Sequence, residues 1–204
     1  MRDRRAVKPN LVLTGMMGCG KTTVGRILAA ELGWEFIDTD RLIETVTGRS
    51  IPALFREEGE PFFRRVEKEV IHGLAGKKRA VVATGGGAVL DRENRRVLQA
   101  LGLVIYLKTS PAVLDRRVQS SSDRPLLSGA TPGAVLAALL QEREEYYREA
   151  DEVVATDGRT PTQVAAEIMR LAQRWGIGTG PLHRRAQEEG EYGNGKTDGN
   201  KGGC

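Results

Sequence analysis

The sequence of 204 residues predicts an α/β fold in which helices cover both faces of a parallel β-sheet. Short, continuous apolar segments alternate with segments of helical periodicity, and such runs are typical of parallel strands that are buried on both faces. The first apolar segment leads directly into a glycine-rich turn and a helix. Because ligands of such folds bind at the carboxyl ends of the strands, we expect the functional site at the turns after the first three strands.

Each strand is predicted from a short apolar run bounded by turn or helix signals. The predicted strands are Asn10–Thr14, Glu35–Asp38, Ala80–Ala83, Leu103–Leu107 and Val153–Ala155. Helix starts are indicated by the pairs Ser110-Pro111, Thr131-Pro132 and Thr160-Pro161, each an N-cap residue followed by proline. The predicted helices run from the glycine-rich turn to about Leu32, over Arg41–Thr47, over Ile51–Leu74 with a break near Gly59–Pro61, near Arg92–Ala100, from Pro111, from Pro132 to about Tyr147 and over Pro161–Trp175.

The composition is that of a globular protein, with 40% hydrophobic and 28% charged residues, and it excludes a wholly disordered chain. No apolar run approaches the ~20 residues of a membrane span, so we expect no membrane association. The two cysteines, Cys19 and Cys204, cannot form a disulfide framework, and the basic N-terminus lacks the apolar segment of a signal peptide. These features favour the reducing cytoplasm.

The net charge of +4 resides mostly at the N-terminus. We predict a flexible basic arm over 1–8, one domain over 9–175 and a flexible glycine-rich tail over 176–204, because the tail has too few apolar residues to offset the entropy of ordering. The basic composition raises nucleic-acid binding through the arm as an alternative function. We expect no nucleic-acid partner, because basic residues that face a polyanionic small molecule account better for the charge of the domain.

Residues 15–22, GMMGCGKT, fit the phosphate-loop pattern G-x-x-x-x-G-K-[ST] between a predicted strand and a predicted helix. The glycines let backbone N–H groups converge on phosphates, and the helix N-terminus adds positive potential. Lys21 would reach the β- and γ-phosphates, and the Thr22 hydroxyl would bind Mg²⁺. At Cys19, a small residue with a functional backbone is favoured over a redox switch. The ATP-binding residues predicted from this loop are Gly18, Cys19, Gly20, Lys21, Thr22 and Thr23.

The turns after strands two and three carry candidate acceptor residues. Asp38 could hold Mg²⁺ waters beside Thr22, and Asp40 could accept a proton from an attacking hydroxyl. An Asx turn that caps the next helix is the alternative for this pair. Three consecutive glycines, Gly85–Gly87, favour close approach of a small ligand to main-chain N–H groups, although a plain flexible turn has the same composition.

Three further segments supply arginines. Arg64 and Glu67 are three residues apart on one predicted helix, where the carboxylate could brace the guanidinium, although the pair taken alone favours a surface ion pair. Arg143 lies among acidic residues and could equally belong to a solvated helix face. Residues 120–129 form a polar stretch between two helices, which is either a mobile lid that brings Arg124 over the phosphates or a static linker.

These motifs, taken together and in this order, resemble the shikimate kinase family of small P-loop kinases. The resemblance runs from Asn10 to about Trp175, and its G-E-x-x-F-R-x-x-E, G-G-G and R-P-L-L motifs are more specific than the phosphate loop. The family often has a proline inside the R-x-x-x-Y motif, where this chain has Glu144-Glu145-Tyr146. The matching segments are GMMGCGKTTVG at 15–25, DTD at 38–40, SIPALFREEGEPFFRRVE at 50–67, TGGG at 84–87, DRPLL at 123–127 and R-x-x-x-Y at 143–147.

The resemblance implies transfer of phosphate from MgATP to the 3-hydroxyl of shikimate, in aromatic amino-acid biosynthesis, by a monomer. It implies a five-stranded parallel sheet of order 2-3-1-4-5 and a mobile lid over about 119–131. Thr22 and Asp38 would hold one Mg²⁺, Arg124 would be the lid arginine, and Arg159 would lie near the adenine, with Arg116 as a weaker candidate. The implied shikimate-binding residues are Asp40, Arg64, Gly86, Gly87 and Arg143, of which Asp40 would touch the reacting hydroxyl.

The predicted mechanism is in-line transfer of the γ-phosphoryl group, with Lys21, Asp40 and Arg124 as the catalytic residues. Lys21, Mg²⁺ and Arg124 would neutralise charge, and lid closure would exclude water. Two alternatives remain at this stage. One is a related kinase for gluconate or a nucleoside monophosphate, and the other is a non-catalytic ATP-binding module.

Overall fold

The computed structural model describes residues 8–118 and 132–178. Five parallel strands form one sheet in the order β2-β3-β1-β4-β5, as the resemblance implies. The strand order reverses beside β1, so the carboxyl end of β1 lies at a topological switch point. The strands are β1 (Leu11–Thr14), β2 (Glu35–Asp38), β3 (Ala80–Ala83), β4 (Leu103–Lys108) and β5 (Glu152–Ala155).

Helices cover both faces, and a short 3₁₀ helix at Ala88–Leu90 follows β3. Successive residues of β1 belong to two different apolar clusters, because successive side chains of a strand point to opposite faces of the sheet. Leu11 and Leu13 pack in one apolar cluster and Val12 packs in the other. The helices are α1 (Lys21–Leu32), α2 (Thr39–Thr47), α3 (Ile51–Glu57), α4 (Gly59–Gly73), α5 (Arg92–Leu101), α6 (Pro111–Val118), α7 (Pro132–Tyr147) and α8 (Pro161–Arg174).

A third apolar cluster joins α2, α3 and α4 into a unit beside the carboxyl end of β2. It consists of Ile43, Leu54, Phe63 and Val70, all buried. The predicted break in the long helical pattern is confirmed: α3 ends at Glu57, and α4 begins at Gly59, whose φ of 80° suits glycine.

The ends of the folded domain lie slightly beyond the predicted limits. Lys8, assigned to the flexible arm, donates to the Gln99 carbonyl at 2.7 Å and lies 3.6 Å from Asp151. Ile177, assigned to the tail, is 2% exposed and belongs to the larger apolar cluster. An apolar residue among glycines gives no periodic signal, so the sequence pattern did not reveal this contact. Within the described ranges, no helix is both long and apolar enough to cross a bilayer.

Candidate active site

The carboxyl ends of β1, β2 and β3 open into a cavity of about 840 Å³. Its walls come from the turns after these strands and from α1, α2, α3, α4, α6 and α7. Eleven of the predicted binding and catalytic residues line it: Gly18, Gly20, Lys21, Thr22, Thr23, Asp38, Asp40, Arg64, Gly86, Gly87 and Arg143.

The turn after β1 has the backbone of a phosphate loop. Gly15, Gly18 and Gly20 have φ values of 138°, 80° and 104°, in the region that favours glycine. A Cβ at Gly15 would lie 2.7 Å from the Leu107 carbonyl oxygen, so the loop packs too closely on β4 for any side chain there. Helix α1 begins at Lys21, and its N-terminus therefore points into the cavity.

The Lys21 ammonium group is bound by carbonyl oxygens of its own phosphate loop. Its Nζ donates to the Gly15 and Met16 carbonyl oxygens at 2.7 and 3.0 Å, and lies 3.6 Å from the Cys19 Sγ. Cys19 is 2% exposed and lies beneath the loop, outside the cavity lining, so its thiol does not face the cavity. This geometry is that of a small residue that fills space under the loop.

Thr22 and Asp38 lie together, as expected of a pair that shares a cation. The Thr22 hydroxyl donates to Asp38 Oδ2 at 2.8 Å, while Oδ1 accepts from the Asp40 amide at 3.1 Å. Asp38 is also the N-cap of α2, so the Asx-turn alternative describes the same residue. Hydroxyl and carboxylate oxygens are ligands that Mg²⁺ prefers, and this small set leaves room for waters and phosphates.

Asp40 lies on the first turn of α2 and lines the cavity, near both Lys21 of the phosphate loop and Arg64 of α4. Burial raises its pKa above the ordinary aspartate value, and the nearby Asp38 carboxylate raises it further. The positive charges of Lys21 and Arg64 act in the opposite direction. A carboxylate with a raised pKa is a better proton acceptor near neutral pH.

Arg64 is held by two carboxylates of its own helix. Nη1 donates to Glu67 Oε2 at 2.8 Å, and Nη2 donates to Glu60 Oε1 at 2.8 Å. Glu67 is 1% exposed, and its Oε1 has no hydrogen-bond partner among the residues that the structure describes. Burial raises the pKa of Glu67, and Arg64 opposes that shift. The alternative of a surface pair is therefore wrong, because Glu67 is buried.

The turn after β3 is closely packed at all three of its glycines. A Cβ at Gly85 would lie 2.6 Å from Asp40 Oδ1, and one at Gly87 would meet the Arg64 guanidinium. At Gly86 it would lie 3.3 Å from the Met17 amide nitrogen, so this turn packs directly on the phosphate loop. A side chain at Gly85 or Gly87 would displace Asp40 or Arg64, two residues that line the cavity.

Arg143 lies on the inner face of α7 and is 3% exposed. Its Nε and Nη1 have no hydrogen-bond partner within the described ranges. Buried guanidinium donors without partners are costly, and an anionic ligand in the cavity would satisfy them. The solvated-face alternative is wrong, because the acidic neighbours of Arg143 lie on other faces of the helix.

Two predicted residues, Arg159 and Arg116, lie outside the cavity lining, and a third, Arg124, is outside the described residues. Arg159 does not line the cavity: its guanidinium donates to the Ala155 and Gln163 carbonyl oxygens and pairs with Glu167. Arg116 is exposed and lines no part of the cavity.

The next residue, Arg117, lines the cavity instead, and donates to the Gly18 and Cys19 carbonyl oxygens at 3.3 and 3.4 Å. Sequence reasoning missed it, because adjacent arginines on a helix differ only in the face they occupy. Glu44 was also missed. It lines the cavity and accepts from the Ile51 amide at 3.1 Å, so it helps to fix the start of α3.

A phosphate loop beside a cavity that holds a buried carboxylate and two arginines defines a small P-loop kinase. The family model for shikimate kinase matches residues 17–173. The chain belongs to the shikimate kinase family and is an ATP-dependent phosphotransferase that acts on a hydroxyl group.

Relatives and solved structures agree with this assignment. The shikimate kinases of Moorella thermoacetica and Symbiobacterium thermophilum are 46% and 49% identical, and the matches cover 81% and 82% of this chain and 95% and 98% of those proteins. A shikimate kinase from Acinetobacter baumannii in complex with shikimate has a TM-score of 0.79 and 42% identity, over 82% of this chain and 94% of that one. A gluconokinase from Sinorhizobium meliloti, 18% identical with a TM-score of 0.57, shares the fold alone.

Proposed function

We propose that this chain transfers the γ-phosphoryl group of ATP to the 3-hydroxyl of shikimate, which gives shikimate 3-phosphate and ADP for aromatic amino-acid biosynthesis. The observation that carries the proposal is the position of Asp40, half-buried in the cavity that Lys21, Arg64 and Arg143 also line. Membership of the shikimate kinase family supports it.

The nucleotide binds at the phosphate loop in this proposal. The amides of Gly18, Cys19 and Gly20 and the first turn of α1, with Thr22 and Thr23, receive the phosphates. Lys21 moves its ammonium group from loop carbonyls to the β- and γ-phosphates. Arg117, which already contacts the loop, and Arg124 bring further positive charge. We keep Arg159 as a candidate for the adenine region, although its present partners are Ala155 at the end of β5 and Gln163 and Glu167 of α8.

Thr22 and Asp38 are the residues that would hold Mg²⁺. Their oxygens are 2.8 Å apart at the end of the phosphate loop, and their chemistry fits a hard cation that keeps several waters. When bound with ATP, Mg²⁺ supplies charge neutralisation at the phosphates.

The acceptor binds at the opposite end of the cavity. Arg64 and Arg143 bind the shikimate carboxylate, because their planar guanidinium groups can each donate two parallel hydrogen bonds. The backbone of Gly86 and Gly87 contacts the same ligand, since no side chain separates it from the cavity. This arrangement points the reacting hydroxyl toward Asp40.

Asp40 accepts the proton of the 3-hydroxyl as the oxygen attacks the γ-phosphorus, and the bond to the β-phosphate oxygen breaks to release ADP. Catalysis is mostly positioning and charge neutralisation. We further propose that residues 119–131 act as a lid that excludes water.

The test is ADP release from MgATP with shikimate, with gluconate, with AMP and with no acceptor. Release only with shikimate is the expected result. Release with another acceptor would keep the kinase mechanism but would refute the acceptor assigned to Arg64 and Arg143. ATP binding without release in any mixture would favour the non-catalytic module.

We also propose a monomer in the cytoplasm, with one kinase domain between a basic arm and a glycine-rich tail. The small number of cysteines and the family resemblance support this organisation. Light scattering at micromolar concentration tests the monomer, and limited proteolysis tests the arm and the tail.

A further inference from the structure

Tyr147 is buried at the end of α7, next to the cavity but outside its lining. It is 1% exposed, and its ring stacks on that of Tyr106 with centroids 5.0 Å apart. The hydroxyl donates to the Gly86 carbonyl oxygen at 2.5 Å. A phenylalanine would stack in the same way, so ring packing does not account for the hydroxyl.

The carbonyl that Tyr147 holds belongs to the peptide unit between Gly86 and Gly87. In a trans peptide the C=O and N–H groups point in opposite directions, so a fixed carbonyl also fixes the Gly87 N–H. The Gly86 and Gly87 amides donate to no residue in the described ranges, whereas the Gly85 amide donates to Thr39 Oγ1 at 3.0 Å. Because glycine reorients easily, the bond from Tyr147 restrains this peptide.

The Arg143 guanidinium lies beside the same hydroxyl, one helical turn earlier on α7. Burial raises the pKa of the Tyr147 hydroxyl, while the positive charge of Arg143 acts in the opposite direction. Arg143 and Tyr147 are four residues apart on one helix and both are buried, so the guanidinium and the hydroxyl are neighbours on the inner face of α7. The buried hydroxyl thus donates to the Gly86 carbonyl and lies beside the Arg143 guanidinium.

We propose that Tyr147 is a positioning residue for the acceptor, whose hydroxyl holds the Gly86–Gly87 peptide and the Arg143 guanidinium in their binding orientations. The inference rests on the proposed roles of Arg143 and Gly86. Tyr147 acts through these groups, because it does not line the cavity itself. Without the hydroxyl, the peptide and the guanidinium reorient and acceptor binding weakens, while the phosphate loop keeps its structure.

The test compares Tyr147→Phe with Tyr146→Phe. Tyr146 is the matched control, because it packs on Arg95 and lines no part of the cavity. For Y147F we expect the shikimate KM and the calorimetric Kd to rise about 5- to 20-fold, the effect of losing one hydrogen bond in a buried network. We expect the KM for ATP and kcat to stay within about twofold, because the hydroxyl contacts the phosphate loop only weakly within the described residues, at 3.8 Å from Met16 Sδ. Y146F should match the wild type.

A purely structural hydroxyl would give a lower melting temperature with an unchanged shikimate KM, and that result would overturn the inference. The comparison of KM values stays valid if part of the Y147F protein is unfolded, because KM is independent of the fraction of active enzyme. A double-mutant cycle with Arg143→Lys provides a second readout: the effect of Y147F should shrink in the R143K background. Full additivity would contradict the link to Arg143.

The outcomes separate this inference from the function on which it rests. If the wild-type protein releases no ADP from MgATP when shikimate is added, the proposed function is refuted. An unchanged shikimate KM in R143K would refute the role of Arg143. A raised KM in R143K together with an unchanged KM in Y147F would refute the positioning role alone.

Discussion

At the residue scale, the cavity balances buried charges of both signs. Glu67 is buried and Asp40 is half-buried, and Arg64 is bound to Glu67, whereas two nitrogens of Arg143 have no partner in the described part of the chain. Burial of an unpaired charge is costly, and an anionic ligand would reduce that cost. This imbalance supports the proposed acidic acceptor.

Asp40→Asn removes the proposed proton acceptor and keeps the shape of the side chain. We expect kcat to fall at least about 10²-fold, the contribution typical of a positioned general base. Asp91→Asn is the matched control, because Asp91 caps α5 outside the cavity and asparagine is also a good N-cap. Near-normal turnover of folded D40N would refute the assignment.

Asp40→Asn should lower kcat but raise the free energy of unfolding at neutral pH. The pKa of Asp40 is raised in the folded state, so the stability that this group contributes is fully present below the ordinary aspartate pKa. It is lost as the pH rises through the raised value, and at neutral pH the buried charge lowers the free energy of unfolding. We expect D40N to melt higher than the wild type at about pH 7, by a few degrees, since about 1 kcal/mol corresponds to about 2–4 °C in a domain of this size.

This gain should shrink toward about pH 4, where the wild-type carboxyl group becomes neutral as well. Thermal melts of both proteins between these pH values test the prediction. A D40N protein that melts lower than the wild type at neutral pH would show that the Asp40 charge stabilises the fold.

At the element scale, helices and turns have separate tasks. The turns after β1, β2 and β3 carry the functional groups, whereas α8 packs on α1 and supports the sheet from one face. Helix α8 begins with a capping box: Thr160 accepts from the Gln163 amide at 3.2 Å, and Gln163 accepts from the Thr160 amide at 2.9 Å. This helix start should contribute to stability and not to turnover.

Thr160→Ala removes the cap and should lower the free energy of unfolding by about 1 kcal/mol. Thr162→Ala is the control, because Thr162 is exposed in the same first turn of α8. Urea titrations measure the difference, and kcat per folded molecule should be unchanged for both. Equal stability of the two variants would contradict the cap.

At the scale of the whole molecule, the two ends of the parallel strands differ in role. The cavity lies at the carboxyl ends of the strands, and Asn10 lies at their amino ends. Its Nδ2 donates to the Lys77 and Leu101 carbonyl oxygens, both at 2.7 Å, and its Oδ1 accepts from the Ala80 amide at 2.9 Å. One fully buried side chain thus connects the starts of β1, β3 and β4.

Asn10→Ala leaves these backbone groups without partners and should lower the free energy of unfolding by at least about 2 kcal/mol. The shikimate KM and kcat per folded molecule should not change, because Asn10 lies at the far edge of the sheet. Gln99→Ala, which removes one exposed hydrogen bond to the Glu149 carbonyl, should have little effect on either property. A changed shikimate KM in N10A would show that the amino ends of the strands are coupled to the cavity at their carboxyl ends.

Sequence reasoning predicted the strands, the phosphate loop and the carboxyl-end location, because local spacing encodes each of them. Apolar runs give the strands, and glycines at fixed spacing before Lys21 and Thr22 give the loop. The resemblance supplied the strand order, which the structure confirms. These features depend on residues that are close in the chain.

The tertiary structure decided what depends on packing between distant segments. It distinguished Arg117 from Arg116, placed Ile177 in the core and buried Arg143 although its neighbours in the sequence are acidic. It also brought the Tyr147 hydroxyl to Gly86, 61 residues away in the chain. A pattern of residue types does not specify which face of a helix meets which turn, because that choice is fixed only when the helices pack on the sheet.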